Sequence, residues 1–182
     1  MKAILTALIC LTTFLFNTGI AFGQQFPKMD VSPMDIAMAR PERNSPPIAR
    51  VIYSRPQAKG RKIFGELVPF DQVWRTGANE ATELNIYQQL KIGNTVLEPG
   101  TYTLYTIPGK EKWTVIINSD TNVWGTVYEE NDDIARITVD RKTAPAPAES
   151  LSMVFRPEPN GTTLMIGWDK TYIEIPFKTV SK

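Results

Sequence analysis

Apolar and polar residues alternate with a period of two along most of the chain, which is the pattern of strands with one wet face. "ELNIYQQ" (Glu83 to Gln89), "TYTLYTI" (Thr101 to Ile107), "KWTVIIN" (Lys112 to Asn118), "SLSMVFR" (Ser150 to Arg156), "TTLMIGW" (Thr162 to Trp168) and "YIEIPF" (Tyr172 to Phe177) are short and rich in β-branched and aromatic residues. Leu151, Met153 and Phe155 share one face, as do Leu164, Ile166 and Trp168, and then Ile173, Ile175 and Phe177. No window carries helical periodicity over three turns, and no internal repeat is present. The pattern predicts an all-β fold: an antiparallel β-sandwich, jelly-roll or immunoglobulin-like, of about eight to nine strands.

Turn residues punctuate these runs. "PNGT" (Pro159 to Thr162) sets Asn-Gly between two alternating segments and predicts a hairpin, and "EPGTY" places Pro-Gly ahead of the next strand. Asn160-Gly161-Thr162 is also a glycosylation sequon, which the hairpin explains without it. The proline-rich residues 24–47 read as an extended arm with one edge strand near Asp35 to Ala39, and residues 48–182 as a single domain. "KTAPAPAE" (Lys142 to Glu149) reads as a polyproline-like connector between strands.

The N-terminus changes the picture of where this domain works. "MKAILTALICLTTFLFNTGIAFGQQ" has one positive charge at Lys2, an apolar run and a small-x-small ending at Ala21-Phe22-Gly23. These features predict a signal peptide over residues 1–23, a mature chain from Gln24, and export to the periplasm or beyond. A retained anchor fits less well, because Thr12, Thr13, Asn17 and Thr18 dilute the run and no basic flank follows. Cys10 lacks the small residue that precedes a lipidated cysteine.

One of the 20 basic residues and none of the 19 acidic ones lie in that segment, so the remainder is charge-balanced. Balance argues against nucleic acid or an anionic membrane surface as the partner. Cys10 is the only cysteine and there is no histidine. Disulfides, Ser-His-Asp and Cys-His catalysis, and zinc, haem or iron–sulfur sites built on those residues therefore fall away. No cofactor signature is present, and the chemistry left rests on carboxylates, Lys, Arg, Tyr, Ser and Thr.

The run "YSRPQAKGRKIFGELVPFDQVWRTGANEATEL", followed by "LEPGTYTLYTIPGKEKWTVIIN", Trp124-Gly125 with Tyr128, and Asp133 with Arg136, resembles the signature of a bacterial family catalogued as domain of unknown function family 2911. The resemblance spans nearly all of the chain beyond residue 23. It implies a β-sandwich-like fold and an exported location, and no activity.

Candidate chemistry gathers in "VWRTGANEATEL". Arg75 offers a rigid fork of donors suited to carboxylate or phosphate, while Gly77 and Asn79 are the residues best able to adopt positive φ and present Arg75 and Glu80 on one side. Arg75, Thr76, Asn79 and Glu80 thus predict either an anion or sugar pocket floored by Trp74, or a polar staple in which Arg75 pairs with Glu80. Tyr53, Arg55 and Arg61 in "YSRPQAKGR" add two guanidinium groups that read as part of a basic site or as solvated side chains covering apolar surface. Trp124 and Tyr128 read as a stacking platform for a sugar ring or as core. Glu129 to Asp133 lacks the spacing of a calcium loop and reads as a solvated acidic turn, so no metal is expected.

Catalysis, if present, falls to Glu80 paired with Asp71 or Asp133; no Gly-x-Ser-x-Gly elbow or phosphate-binding glycine loop appears. The residues favour a non-enzymatic envelope module binding a small anionic or carbohydrate ligand. The alternatives are a carboxylate-based hydrolase of envelope glycans and a structural protein that docks a partner through a strand edge and the arm.

Overall fold

The computed structural model describes residues 25–180. The segment read as a signal peptide lies outside the described residues. Ten strands form two antiparallel sheets. They are β1 (Met34–Ala39), β2 (Ala49–Ser54), β3 (Thr82–Ile86), β4 (Leu90–Ile92), β5 (Thr95–Leu97), β6 (Gly100–Ile107), β7 (Lys112–Asn118), β8 (Asp133–Asp140), β9 (Lys142–Glu158) and β10 (Gly161–Thr179). The larger sheet runs β1-β2-β3-β6-β7-β8 and the smaller β5-β4-β10-β9. No helix among the described residues is long and apolar enough to cross a membrane.

The inward faces are the ones the alternation marks. Leu151, Met153 and Phe155 of β9, and Leu164, Ile166, Trp168, Ile173, Ile175 and Phe177 of β10, are all buried. They meet Val51, Leu84, Leu104, Trp113, Val115 and Ile117 of the larger sheet in one core. Each such aliphatic side chain contributes about 1.5–3 kcal/mol on leaving water, so the interface between the sheets is the principal stabilising element.

Four segments depart from expectation for identifiable reasons. "TTLMIGW" and "YIEIPF" are one strand, β10, and their inward residues switch from even to odd numbers. The switch is absorbed by register shifts on either side of Asp169, which takes φ +50°, so a bulge stands where a turn was expected. "KTAPAPAE" is the first part of β9 rather than a connector. Pro145 and Pro147 lack an N–H, which is tolerable because β9 is an edge strand. β8, an edge of the larger sheet, was not singled out either: Ala135 is buried and Ile137 and Val139 pack against the core, directly after the acidic run that read as a turn. Lastly, Gly161 pairs with Glu158, which makes Pro159-Asn160 the hairpin loop rather than Asn160-Gly161. The arm does supply an edge strand: β1 pairs with β2 from Met34↔Ser54 to Ala39↔Ala49.

At one end of the sandwich Trp113 of the larger sheet and Trp168 of the smaller meet Phe64 and Trp74, which arrive from the segment between β2 and β3. Trp74 stacks on Trp168 at 6.1 Å and 18°. Phe64 and Trp113 close on them edge-on, the nearest pair at 4.8 Å. Edge-to-face and offset pairs of this kind contribute about 0.5–1.5 kcal/mol each beyond burial.

Gly161 tests the hairpin geometry. It has φ +147°, and a Cβ there would lie 2.0 Å from the Phe177 carbonyl oxygen. Gly161→Ala is expected to lower stability by about 1–3 kcal/mol in urea unfolding, because strain and clash combine; an unchanged midpoint would contradict this register.

Candidate functional site

Residues 55–81 cross the end of the sandwich beside the indole cluster. Trp74 is tied to β6 by a two-bond bridge, Trp74 N–H to Thr106 O at 2.7 Å and Thr106 N–H to Trp74 O at 3.0 Å. Immediately after it, Thr76 is fully buried with φ +55°. A β-branched residue in that region costs on the order of 1–3 kcal/mol and persists only where its surroundings overdetermine it. Here they do: its hydroxyl lies 3.0 Å from that of Thr106 and 3.2 Å from Trp74 O, while Thr82 donates its hydroxyl to Thr76 O at 3.0 Å. Asn79 takes φ +59° as expected, but Gly77 does not take positive φ; its missing Cβ serves close approach to Thr82 and the Ser54 carbonyl.

This tight turn separates Arg75 from Glu80. Arg75 is half-buried and lines a pocket of about 410 Å³, whereas Glu80 is exposed and lines a different pocket with Glu83. The predicted Arg75–Glu80 pair does not form. Among the described residues, the Arg75 guanidinium has no ion pair and no hydrogen bond, and its Nε is buried without a partner. A buried donor left unmet costs about 1–3 kcal/mol, more when charged; Arg50 Nε and Trp113 Nε1 share that state, and of the three only Arg75 lines this pocket.

The Arg75 stem is held by a residue sequence reasoning did not single out. Glu80 bridges to Trp124, and Gly125 N–H bonds Asn79 O at 3.3 Å, so the Trp124-Gly125 segment passes over the turn. A Cβ on Gly125 would stand 2.0 Å from Arg75 Cδ and 2.6 Å from Asn79 O. Only glycine leaves room for the side chain beneath it. The signal was the Trp-Gly pair, but its meaning lies in a contact 50 residues away in the chain.

Around the pocket the charges share one sign. Arg61 and Lys59 line it with Arg75, and among the described residues no Asp or Glu does. Arg61 also donates Nε to Ala58 O at 3.0 Å and an Nη to Gln57 O at 2.6 Å, fixing it against the turn. The floor is Trp74 and Trp168 with Val68. Lys59, Gln57 and Trp168 were not among the expected site residues; Trp168 read as an inward-facing strand residue.

The other expected residues stand elsewhere. Arg55 donates to Asp35 Oδ2 at 3.0 Å, Leu151 O at 3.0 Å and Ser152 Oγ at 2.9 Å. Beside it the buried Tyr53 hydroxyl accepts from Met153 N–H at 2.9 Å and donates to Asp35 at 3.3 Å, and burial foremost raises its pKa. Together they tie β1 and β2 to β9. Asn79 Nδ2 donates to Asp30 Oδ1 at 3.2 Å, pinning the arm. Trp124 is 55% exposed, while the Tyr128 ring packs edge-on against Tyr105 at 5.1 Å; neither lines the basic pocket.

Tyr128 is the hub of a separate network, donating to Asp133 Oδ2 at 2.8 Å and accepting from an Arg136 Nη at 2.6 Å. Burial first, then the Asp133 hydrogen bond, push its hydroxyl up to about 12, against the opposing pull of Arg136. Asp133 further accepts from Asn118 and Arg136 Nε. Neither Asp133 nor Asp71 lines the pocket that holds Glu80; the second carboxylate there is Glu83.

Fold and site together define an all-β sandwich with a basic, indole-floored pocket at one end. The chain belongs to the family described as protein of unknown function DUF2911, whose model matches residues 33–177. No curated protein and no solved structure matches it.

Two outcomes follow from this geometry. Gly125→Ala is expected to displace the Arg75 stem and cost about 1–3 kcal/mol in chemical unfolding, with Trp fluorescence reporting the disturbed cluster; a fully wild-type variant would contradict the clamp. For Tyr128, the folded value exceeds the ordinary 10.0, so its contribution to stability is complete below pH 10 and is lost as pH rises towards about 12. Alkaline unfolding of Tyr128→Phe should lack that part of the loss, and identical alkaline profiles would contradict the network.

Proposed function

We propose that this protein is an exported, non-enzymatic binding module of the cell envelope that takes a small anion on Arg75. The observation that carries the reading is the half-buried guanidinium without an internal acceptor, in a pocket where Arg61 and Lys59 add positive charge and no carboxylate offsets it. A guanidinium fork suits the paired oxygens of a carboxylate or phosphate, and partial desolvation strengthens that contact. Turn and clamp, with Thr76 on one side and Gly125 on the other, hold the donor before a ligand arrives, which lowers the ordering cost of binding. Export is supported by the apolar segment behind Lys2 and its ending at Ala21-Phe22-Gly23.

Small carboxylates and phosphates titrated into residues 24–182, followed by Trp fluorescence and calorimetry, should bind saturably. Arg75→Ala should melt like wild type yet bind about 10–100-fold more weakly, the value of one charge-assisted contact. Equal affinity in a folded Arg75→Ala protein would sink the proposal.

A further inference from the structure

The walls of the Arg75 pocket are chemically divided. Three cations, Lys59, Arg61 and Arg75, stand in a lining whose other side chains are mostly apolar. Trp74 Nε1–H is already given to Gly77 O at 3.2 Å and Trp168 Nε1–H to Glu149 O at 3.1 Å, so neither indole has a donor left for a ligand. What the floor presents is chiefly the partly exposed ring of Trp74, since Trp168 is only 2% exposed. At the rim, Leu67 is 42% and Val31 75% exposed among the described residues, apolar side chains that line the cavity. The uncharged hydrogen-bonding side chains are Ser32 and Gln57 alone.

That division speaks to the ligand. A sugar ring presents several hydroxyls, each needing an acceptor or donor, and burying them against indole and aliphatic surface leaves them unmet at a cost of about 1–3 kcal/mol each. A small, highly charged hydrophilic anion satisfies the cations but leaves Leu67, Val31 and the indole floor facing water. An acid group carried on an apolar body uses both halves: oxygens on Arg75, carbon on the floor and rim.

Resting on the reading of Arg75 as an anion donor, we infer that the ligand is an organic acid with an apolar body, aromatic or acyl, rather than a carbohydrate or a hydrophilic polyanion. The inference also gives the arm a role. Val31 and Ser32 precede residue 33, where the family match begins, so the family-matched part of the chain supplies the cations and floor, and a segment outside that match supplies one wall. The Asn79–Asp30 hydrogen bond sets that wall in place. Leu67 and Val31 are specificity-determining residues in this arrangement, and Arg75 the anchoring one.

The test uses residues 24–182 and defined probes: naphthoate and octanoate as apolar acids, naphthalenemethanol as a neutral counterpart, and phosphate, citrate and glucuronate as hydrophilic anions. At least one apolar acid should bind at least tenfold more tightly than every hydrophilic anion and than the neutral compound. Leu67→Ser and Val31→Ser, both at the exposed rim and checked by melting to be folded, should weaken apolar acids several-fold and leave phosphate unchanged. Hydrophilic anions binding as tightly, lost in Arg75→Ala but indifferent to Leu67→Ser, would overturn the apolar body while leaving the anion pocket standing. Binding of no probe, or binding that survives Arg75→Ala, would overturn both.

Discussion

The contact between Trp74 and Trp168 is the constraint on which the site depends. Trp168 belongs to the smaller sheet and Trp113 to the larger, so the cluster is where the two layers meet. Trp74 enters it from a segment with no strand of its own, held by one bridge to Thr106. That union makes the end of the hydrophobic core into the floor of a cavity. A loop over a solvated surface would place Arg75 within a broad range; a loop whose preceding residue is stacked into the core places it within a narrow one.

Arg75 is then confined from both directions. Beneath it the chain reverses through Thr76, whose strained backbone is held by the threonine hydroxyls around it; above it Gly125 leaves the width of a methylene stem and no more. A local cost at Thr76 and an orphaned donor at Arg75 in adjacent residues are both unfavourable for folding alone. Structures retain such features at places where something else is gained, and a pre-positioned cation is the gain the geometry offers. Two other arginines show the contrast: Arg55 donates to Asp35, Leu151 and Ser152 and ties β1 to β9, and Arg136 donates to Asp133 and Tyr128 at its own end of the larger sheet, so both already have acceptors.

Much of the architecture was legible because burial imposes period two on strands. The faces of β9 and β10 could be read residue by residue, and even the bulge at Asp169 was written as a change of parity between Trp168 and Ile173. β8 does alternate, with Ala135, Ile137 and Val139 set against Arg136, Thr138 and Asp140, but the acidic run Glu129 to Asp133 ahead of it drew the reading toward a turn, and the prolines of β9 disguised a strand whose edge position excuses them. In the site, Arg75 could be picked out by chemistry, but its separation from Glu80 depends on Thr76 adopting a conformation that propensity assigns to Gly77. Gly125 was out of reach for a different reason: a glycine needed for a contact across the fold looks the same in sequence as one needed for a turn.

The most direct measurement is NMR of the arginine Nε–H groups as naphthoate is titrated into the protein. The account predicts that the Arg75 Nε–H signal, identified by its loss in Arg75→Ala, moves saturably while those of Arg55 and Arg136 stay in place. An Arg75 signal unmoved at saturation, or arginine signals shifting together without saturation, would contradict the claim that this side chain is held ready for an anion.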